Sequence, residues 1–196
     1  MSVTRTLRQM ADTFNDLDAL SDPKEREHRY QKMRVLSQKD VFSSNVPVSK
    51  GKTAEYAERT VCLVRLLMVL YEIGFDVAAL RLFQSFMEKT YLPLKPSVGR
   101  QPSTSLDAAI EGIRRGEEWN FSVMARRHCE TGKLYYTGGF RDETIEQSKE
   151  GFSILDAEGS VHAVVSISAK ALMAPLLSKQ ITPGFDVGSN GGGGDG

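Results

Sequence analysis

The chain has 196 residues, of which 40% are apolar and 26% are charged, so it can form one ordinary domain or two small ones. Its 25 basic and 25 acidic residues give a formal net charge of zero, which excludes a protein that coats nucleic acid by bulk charge alone. No apolar run reaches the roughly twenty residues that span a bilayer, and no signal core follows Arg5 and Arg8. We therefore expect a cytoplasmic protein without membrane contact.

Few residues offer reactive or metal-binding chemistry. Cys62 and Cys129 are the only cysteines, and their spacing fits neither a disulfide framework nor a zinc site. Cys62 lies in an apolar helical run, which favours a core position. His28, His128 and His162 are too far apart for a recognisable ligand motif, and no phosphate loop is evident. We therefore expect no metal, no cofactor and no enzymatic activity.

The first ninety residues predict four helices. Apolar residues at helical spacing predict the first one over about 4–17. A second helix follows, with Ser21 or Asp22 as its N-cap and Pro23 in its first turn. This helix continues to Gln38 with only a narrow apolar stripe, so most of its surface is available for contacts outside the core.

The third helix is the strongest pattern in the chain. Residues 56–73 are apolar around most of the helix, which places this helix at the centre of the core. Gly74 suits the left-handed position after a helix, and Asp76 caps a fourth helix over about 77–90. Between the second and third helices, residues 43–54 combine β-branched residues, a proline and a Lys-Gly-Lys tip, which predicts a short hairpin or an extended loop.

The second half of the chain changes to a pattern typical of β-structure. A short helix capped by Ser105 precedes apolar segments on both sides of 130–132, which predict a hairpin, and a similar pattern recurs around 157–159. Residues 169–178 predict a closing helix. We expect an α+β protein in four segments: a helical domain over 1–91, a linker over 92–105, a small hairpin-containing unit over 106–181 and a disordered Gly-rich tail over 182–196.

Basic residues are concentrated between positions 24 and 65, where there are ten of them and only five acidic residues. Such an excess is typical of a phosphate-binding surface, and equally typical of a solvated helix face. Arg26 and Arg29 are three residues apart and should share one exposed face of the second helix. The candidate DNA contacts are polar residues of this helix and of the 43–54 segment: Lys24, Arg26, His28, Arg29, Lys32, Arg34, Lys50, Lys52 and Tyr56.

Three segments of the first ninety residues resemble the DNA-binding half of the MerR family of regulators. Residues 32–42 are similar to the family's threonine, leucine and arginine followed by aromatic residues and a turn. Residues 64–80 resemble its arginine–leucine helix, its glycine–phenylalanine corner and the helix after it. A further set resembles its wing, with a basic tip and a closing tyrosine: Pro47, Gly51, Lys52 and Tyr56.

The resemblance implies a winged helix-turn-helix domain. Its second helix, 24–38, would enter the major groove, and the wing, 43–54, would contact the flanking backbone or the minor groove. It also implies a sequence-specific transcriptional regulator that binds double-stranded DNA as a homodimer. The family's aromatic pair is replaced here by Val35 and Leu36, and its long dimer-forming helix is not visible after Thr90. We therefore expect the dimer contact to lie elsewhere beyond Thr90.

A second function fits the same helices. The helical unit would then contact a protein partner, as in a non-enzymatic adaptor or assembly factor. In either case the unit over 106–181 is a dimerisation, effector or partner domain. Four aromatic residues in it either line a small pocket or form the core of the hairpin: Trp119, Tyr135, Tyr136 and Phe140. Binding to duplex DNA that weakens steeply with salt separates the two functions.

Overall fold

Six helices and five strands make up the part of the chain that the computed structural model describes, namely residues 4–44, 53–90, 103–142 and 159–178. The helices are α1 (Leu7–Leu17), α2 (Pro23–Gln38), α3 (Glu58–Glu72), α4 (Val77–Met87), α5 (Ser105–Arg114) and α6 (Ala169–Ser178). The strands are β1 (Thr4–Thr6), β2 (Glu55–Ala57), β3 (Trp119–His128), β4 (Leu134–Asp142) and β5 (Gly159–Ser168). The predicted α+β class is confirmed. The predicted tail over 182–196 lies outside the described residues.

Local capping signals place the beginnings of the helices. The Asp22 carboxylate accepts the Lys24 N–H at 2.9 Å, and Pro23 opens α2, as predicted. Asp76 likewise accepts the Ala79 N–H at 2.8 Å and begins α4. Gly74, between α3 and α4, has a φ of 107°, a value that favours glycine.

Two of the predicted helix starts are corrected by capping residues, and the third helix begins at Glu58 rather than at residue 56, because Glu55–Ala57 form β2. The first helix begins at Leu7 and not at residue 4, because Thr6 and Gln9 form a reciprocal capping box there. The N-cap of α5 is Thr104 and not Ser105, since the Thr104 hydroxyl accepts the Asp107 N–H at 3.2 Å. In both cases the capping residue is the one whose hydroxyl reaches an N–H in the first turn.

A short two-stranded sheet joins the beginnings of α1 and α3. β1 and β2 pair antiparallel, with Arg5 opposite Tyr56. Of the predicted hairpin over 43–54, the structure describes only residues 43, 44, 53 and 54, none of which is in a strand. β2, which directly follows that segment, pairs with β1 at the beginning of the described chain. The short sheet therefore fixes where α1 lies on α3.

The larger sheet has the order β4-β3-β5, and all of its pairs are antiparallel. The hairpin predicted around 130–132 is confirmed, and Gly132 has a positive φ of 64° in its turn. A second hairpin was expected around 157–159, but the segment before Gly159 lies outside the described residues. β5 pairs with β3 along its length, and the second hairpin stays a prediction.

One apolar cluster runs through both halves of the described chain. α3 is central to it, because ten of its fifteen residues are buried and it packs against α4, α5 and α6. The cluster extends from Met10 on α1 to Leu176 on α6. The predicted linker falls mainly outside the described residues, so the division at 92–105 stays a prediction. None of the described helices has the length and apolar content needed to cross a bilayer.

Candidate nucleic-acid interface on α2

α2 is fastened to the protein along one narrow stripe. Met33 and Leu36 are fully buried, whereas most of the other residues of this sixteen-residue helix are exposed or half-buried. The predicted narrow apolar stripe is confirmed. α1 is the helix that makes the most contacts with α2, and among the described residues the side of α2 opposite the stripe is mainly exposed.

Arg26 points back toward α1. Its guanidinium donates to the Asp16 carboxylate at 2.9 Å and to the Leu20 carbonyl at 3.1 Å. A second nitrogen lies 3.6 Å from Asp12. The side chain therefore links α2 to α1 and to the turn between the two helices. It is not directed away from the protein, where we expected it.

Arg29 also faces inward, in a network of charged residues around Asp18. Its guanidinium lies 2.7 Å from an Asp18 oxygen and 3.5 Å from Glu72 at the end of α3. Arg65 on α3 donates two hydrogen bonds to Asp18, one of them at 2.8 Å, and stacks over the Phe14 ring. With 12% of its side chain exposed, Arg29 does not occupy the exposed position that the sequence predicted.

The electrostatics of this network favour ionised Asp18. The hydrogen bonds from Arg65 lower the pKa of Asp18, and the nearby charge of Arg29 lowers it further against the opposing effect of burial. The network fastens the α1–α2 turn to α3. Its role in the described structure is to hold α2 in place.

Tyr56 is a core residue. Its side chain is 4% exposed and contacts the Phe42 ring edge-on, with the ring centroids 5.8 Å apart. Its hydroxyl lies 3.3 Å from the Ser37 hydroxyl near the end of α2. We expected Tyr56 to close the wing and contact DNA. The structure instead places it beneath α2, where it supports the helix.

The four remaining candidates on α2 lie on the solvent side of the helix, together with Gln31. We call the set Lys24, His28, Gln31, Lys32 and Arg34 the α2 outer face. At about 100° per residue, Lys24, His28 and Gln31 fall within an arc of roughly 60°, with Lys32 and Arg34 on its two sides. Within the described ranges, neither lysine of this set nor Arg34 has a carboxylate partner. In the described part of the chain, these three cations of the outer face are therefore not paired with acidic side chains.

Two acidic residues lie on this side of α2: around the helix, Glu27 falls between Arg34 and Gln31, and Glu25 falls beside Lys32. Glu27 accepts hydrogen bonds from Arg8 on α1 and from Gln31, both at 2.7 Å. These bonds, that from Arg8 first, lower the pKa of Glu27. Its negative charge is thus offset by Arg8. Glu25 lies in the first turn of α2, where a carboxylate stabilises the helix dipole.

The C-terminal end of α2 is held by α4. The Arg81 guanidinium donates two hydrogen bonds to the carbonyl of Lys39, one of them at 3.1 Å. The cation of Arg81 is well placed here, because the last carbonyls of a helix carry partial negative charge. The two predicted wing contacts, Lys50 and Lys52, lie outside the described residues.

Sequence reasoning missed the role of Arg59, which it counted only as part of the basic excess. On α3, Arg59 forms a two-point contact with Glu88, at 2.9 and 2.5 Å, and donates to Asp107 at 2.7 Å. These partners raise the pKa of Arg59 well above its usual range. The sequence did hold a signal for this role, because an arginine within a mostly apolar helix is expected to need acidic partners.

Other candidate chemistry resolves into core packing. Cys62 is buried as predicted, and burial raises the pKa of its thiol to about 12. Tyr136 packs edge-on against Phe83, with centroids 5.7 Å apart, and Trp119 is buried beside Phe140. Trp119, Tyr136 and Phe140 thus belong to the packed side of the hairpin. No cluster of three or more potential metal ligands occurs in the described ranges.

Comparison with protein-family models, with curated proteins and with solved structures finds no match to this chain. The resemblance to the MerR family therefore depends on the residues and motifs of the sequence alone.

Proposed function

We propose that the protein is a sequence-specific DNA-binding transcriptional regulator that acts as a dimer and inserts α2 into the major groove. The observation that carries the proposal is that the two sides of α2 carry different kinds of basic residue. Arg26 and Arg29 fix the helix to α1 and α3, whereas the outer face carries Lys24, Lys32 and Arg34 without acidic partners in the described ranges. Fixed on one side and cationic on the other, α2 suits a recognition helix.

The shape of the major groove supports this use of α2. The groove admits one α-helix, and its base edges accept hydrogen bonds from long polar side chains. Lys24, His28 and Gln31 are central on the outer face and would meet base edges. Lys32 and Arg34 lie at its borders and would meet the phosphates on either side. This assignment excludes Arg26, Arg29 and Tyr56 from the predicted contacts.

The wing remains part of the proposal. Lys50 and Lys52 would contact phosphates or the adjacent minor groove. The 43–54 segment leads directly into β2, and β2 pairs with β1 at the beginning of α1. The C-terminal end of the segment therefore lies near α1. Loss of these lysines should weaken binding to all DNA sequences alike. It should also lower the slope of log affinity against log salt by about one unit per lost phosphate contact.

The experiment compares two triple variants of the full chain on a duplex selected from a random pool. Lys24→Ala/Lys32→Ala/Arg34→Ala removes three positive charges from the outer face. Lys89→Ala/Arg127→Ala/Lys133→Ala removes three exposed charges elsewhere and serves as the matched control. We expect only the first variant to lose specific binding, with a lower slope of log affinity against log salt. Equal losses in both, or none in either, would overturn the proposal.

One observation favours the adaptor function as a second candidate. Val35, 41% exposed, lies at the centre of the outer face between Gln31 and Gln38. An apolar centre with a polar rim is typical of a protein interface, although an apolar side chain also fits a thymine methyl group. Two results together would support the adaptor function. The protein would not bind duplex DNA even at low salt, and it would bind a protein partner through α2 in a way that Val35→Asp abolishes.

A further inference from the structure

Gln31 is held in one orientation on the α2 outer face. Its amide nitrogen donates to a Glu27 oxygen at 2.7 Å. Glu27 in turn accepts a hydrogen bond from Arg8 on α1, also at 2.7 Å, and Arg8 Cζ lies 3.6 Å from the centroid of the Tyr30 ring. The Gln31 side chain is therefore supported by contacts that reach α1. A side chain that is already fixed loses less conformational entropy when it binds a ligand.

The contact with Glu27 decides which amide atoms of Gln31 remain available. The hydrogen bond from Arg8 lowers the pKa of Glu27, so this carboxylate is ionised and can only accept hydrogen bonds. It must therefore be the NH₂ group of Gln31, and not its carbonyl oxygen, that faces Glu27. The carbonyl Oε1 and the second N–H of Gln31 have no partner in the described structure. Exposed Gln31 thus offers one acceptor beside one donor.

This pair of amide atoms matches one base edge of the major groove. Adenine presents N7 as an acceptor beside the N6 amino group as a donor, and one glutamine amide can bind both. Guanine presents two acceptors, N7 and O6, so Oε1 of Gln31 would face an acceptor there. Two facing acceptors both lose their hydrogen bonds to water without replacing them, which costs free energy. Gln31 would therefore discriminate adenine from guanine.

Val35 follows Gln31 by one helical turn on the same side of α2. It is 41% exposed. Ideal helix geometry places it about 40° around the helix from Gln31 and about 6 Å further along the axis. Base pairs are about 3.4 Å apart along the duplex, so the two side chains would meet base pairs one or two steps apart. Valine forms no hydrogen bond with its side chain, and its match in the major groove is the C5-methyl group of thymine.

We propose that each DNA half-site contains two A·T pairs one or two steps apart, with Gln31 bound to the adenine of one pair and Val35 packed against the thymine methyl group of the other. This inference rests on the proposed function, because it requires α2 to enter the major groove, and it adds the bases that the helix recognises. Glu27 is a positioning residue, since it orients the Gln31 amide without contacting the base.

Base analogues in a duplex selected from a random pool measure the two contacts separately. Uracil in place of thymine removes only the C5-methyl group, and 7-deazaadenine in place of adenine replaces the N7 acceptor with C–H. Each A·T position is changed in turn and titrated with the full chain. We expect uracil at one position to weaken binding about fourfold, the effect of one buried methyl group. We expect 7-deazaadenine at another position to weaken it about five- to tenfold.

Variants assign each contact to its residue. Val35→Ala should bind the thymine and uracil duplexes equally, and Gln31→Ala should bind the adenine and 7-deazaadenine duplexes equally. Val164→Ala shortens a valine on β5 that is 59% exposed, so it is the matched control and should discriminate as the wild type does. Gln31 and Val35 are both exposed, so thermal unfolding of their variants should stay close to that of the wild type.

The positioning role of Glu27 has its own measurement. Glu27→Ala removes the acceptor that orients Gln31, so the ratio of affinities for adenine and 7-deazaadenine duplexes should fall. Its affinity for non-specific duplex should rise, because a negative charge is lost from the DNA-facing side. Glu27→Gln keeps an acceptor and should restore part of the ratio. A ratio that is unchanged in Glu27→Ala would overturn the positioning role.

The outcomes separate this inference from the proposed function. A wild type that binds no duplex, even at low salt, would overturn both. Specific binding to a selected site without A·T pairs would overturn this inference alone. The same holds if the uracil effect persists in Val35→Ala, or if the 7-deazaadenine effect persists in Gln31→Ala. In those cases the charge variants of the outer face would still report on DNA binding by α2.

Discussion

The indole of Trp119 lies against the backbone of Gly112, and a Cβ at Gly112 would overlap that indole and the Glu117 carboxylate. Trp119 is buried and donates its N–H to Glu117 at 3.0 Å, so neither group can simply withdraw. We expect Gly112→Ala to lower the free energy of unfolding by about 1–3 kcal/mol, as overpacking does.

Gly139→Ala is the matched control for this prediction, because a Cβ at Gly139 meets nothing within 4 Å. Alanine also restricts the unfolded chain more than glycine does, so this variant should be neutral or slightly stabilising. Urea unfolding of both proteins measures the difference. A Gly112→Ala protein as stable as Gly139→Ala would contradict the close packing of Trp119.

The second prediction concerns acid stability. The folded-state pKa of Asp18 is lowered by Arg65 and Arg29, so its contribution to stability is present above the unfolded pKa of about 3.9 and is lost as pH falls through the folded value. We expect Asp18→Asn to destabilise the protein at pH 7 by about 1.5–3 kcal/mol, the range for hydrogen bonds to charged groups.

As the pH falls through the lowered folded-state pKa of Asp18, the stability difference between wild type and Asp18→Asn should shrink. Asp16→Asn is the control, since Asp16 pairs with Arg26 but has 68% of its side chain exposed. An exposed pair contributes less than about 1 kcal/mol. Chemical unfolding at several pH values gives the change in the free energy of unfolding for each variant. Equal changes for the two variants would argue against the Asp18 network.

The third prediction separates positioning from DNA contact on α2. Arg29→Ala removes a largely buried partner of Asp18 and should lower the melting temperature by several degrees. Arg34→Ala removes an exposed cation and should change the free energy of unfolding by less than about 0.5 kcal/mol. Affinity for the selected duplex should fall for Arg34→Ala and change little for Arg29→Ala at a temperature where both are folded. The reverse pattern would show that Arg29 contacts DNA.

The fourth prediction concerns Asn15 on α1. Its side chain is fully buried, and neither its amide nitrogen nor its amide oxygen has a hydrogen-bond partner in the described structure. An unpaired buried amide costs about 1–3 kcal/mol. We therefore expect Asn15→Leu, whose side chain has the same number of heavy atoms and the same branch at Cγ, to raise the melting temperature, as differential scanning calorimetry would show. A lower melting temperature would mean that the amide has a partner, such as an internal water.

Local sequence determined much of the helical part of the fold. Asp22, Pro23, Gly74 and Asp76 begin or end helices where they were expected to, because capping and left-handed turns depend on atoms within a few residues. The all-round apolar pattern of α3 also identified the centre of the core. In the sheet, the β3–β4 hairpin was predictable because its turn residues lie next to both strands.

Long-range partners decided the rest. β1 is only three residues long, and its partner β2 is some fifty residues away, so no local pattern distinguishes it from the start of α1. The pairing of β5 with β3 likewise depends on the whole sheet. A strand needs a neighbour, and the sequence does not say which neighbour it takes.

The candidate site shows the same division. The sequence determined that α2 is polar, basic and held by a narrow apolar stripe. Only the tertiary structure decided that Arg26 and Arg29 turn toward Asp16 and Asp18 while Lys24, Lys32 and Arg34 remain on the solvent side. The reason is physical: carboxylates on α1 and in the α1–α2 turn hold both arginines by charge-assisted hydrogen bonds. Asp18, the partner of Arg29, also pairs with Arg65, which is 47 residues away in the chain.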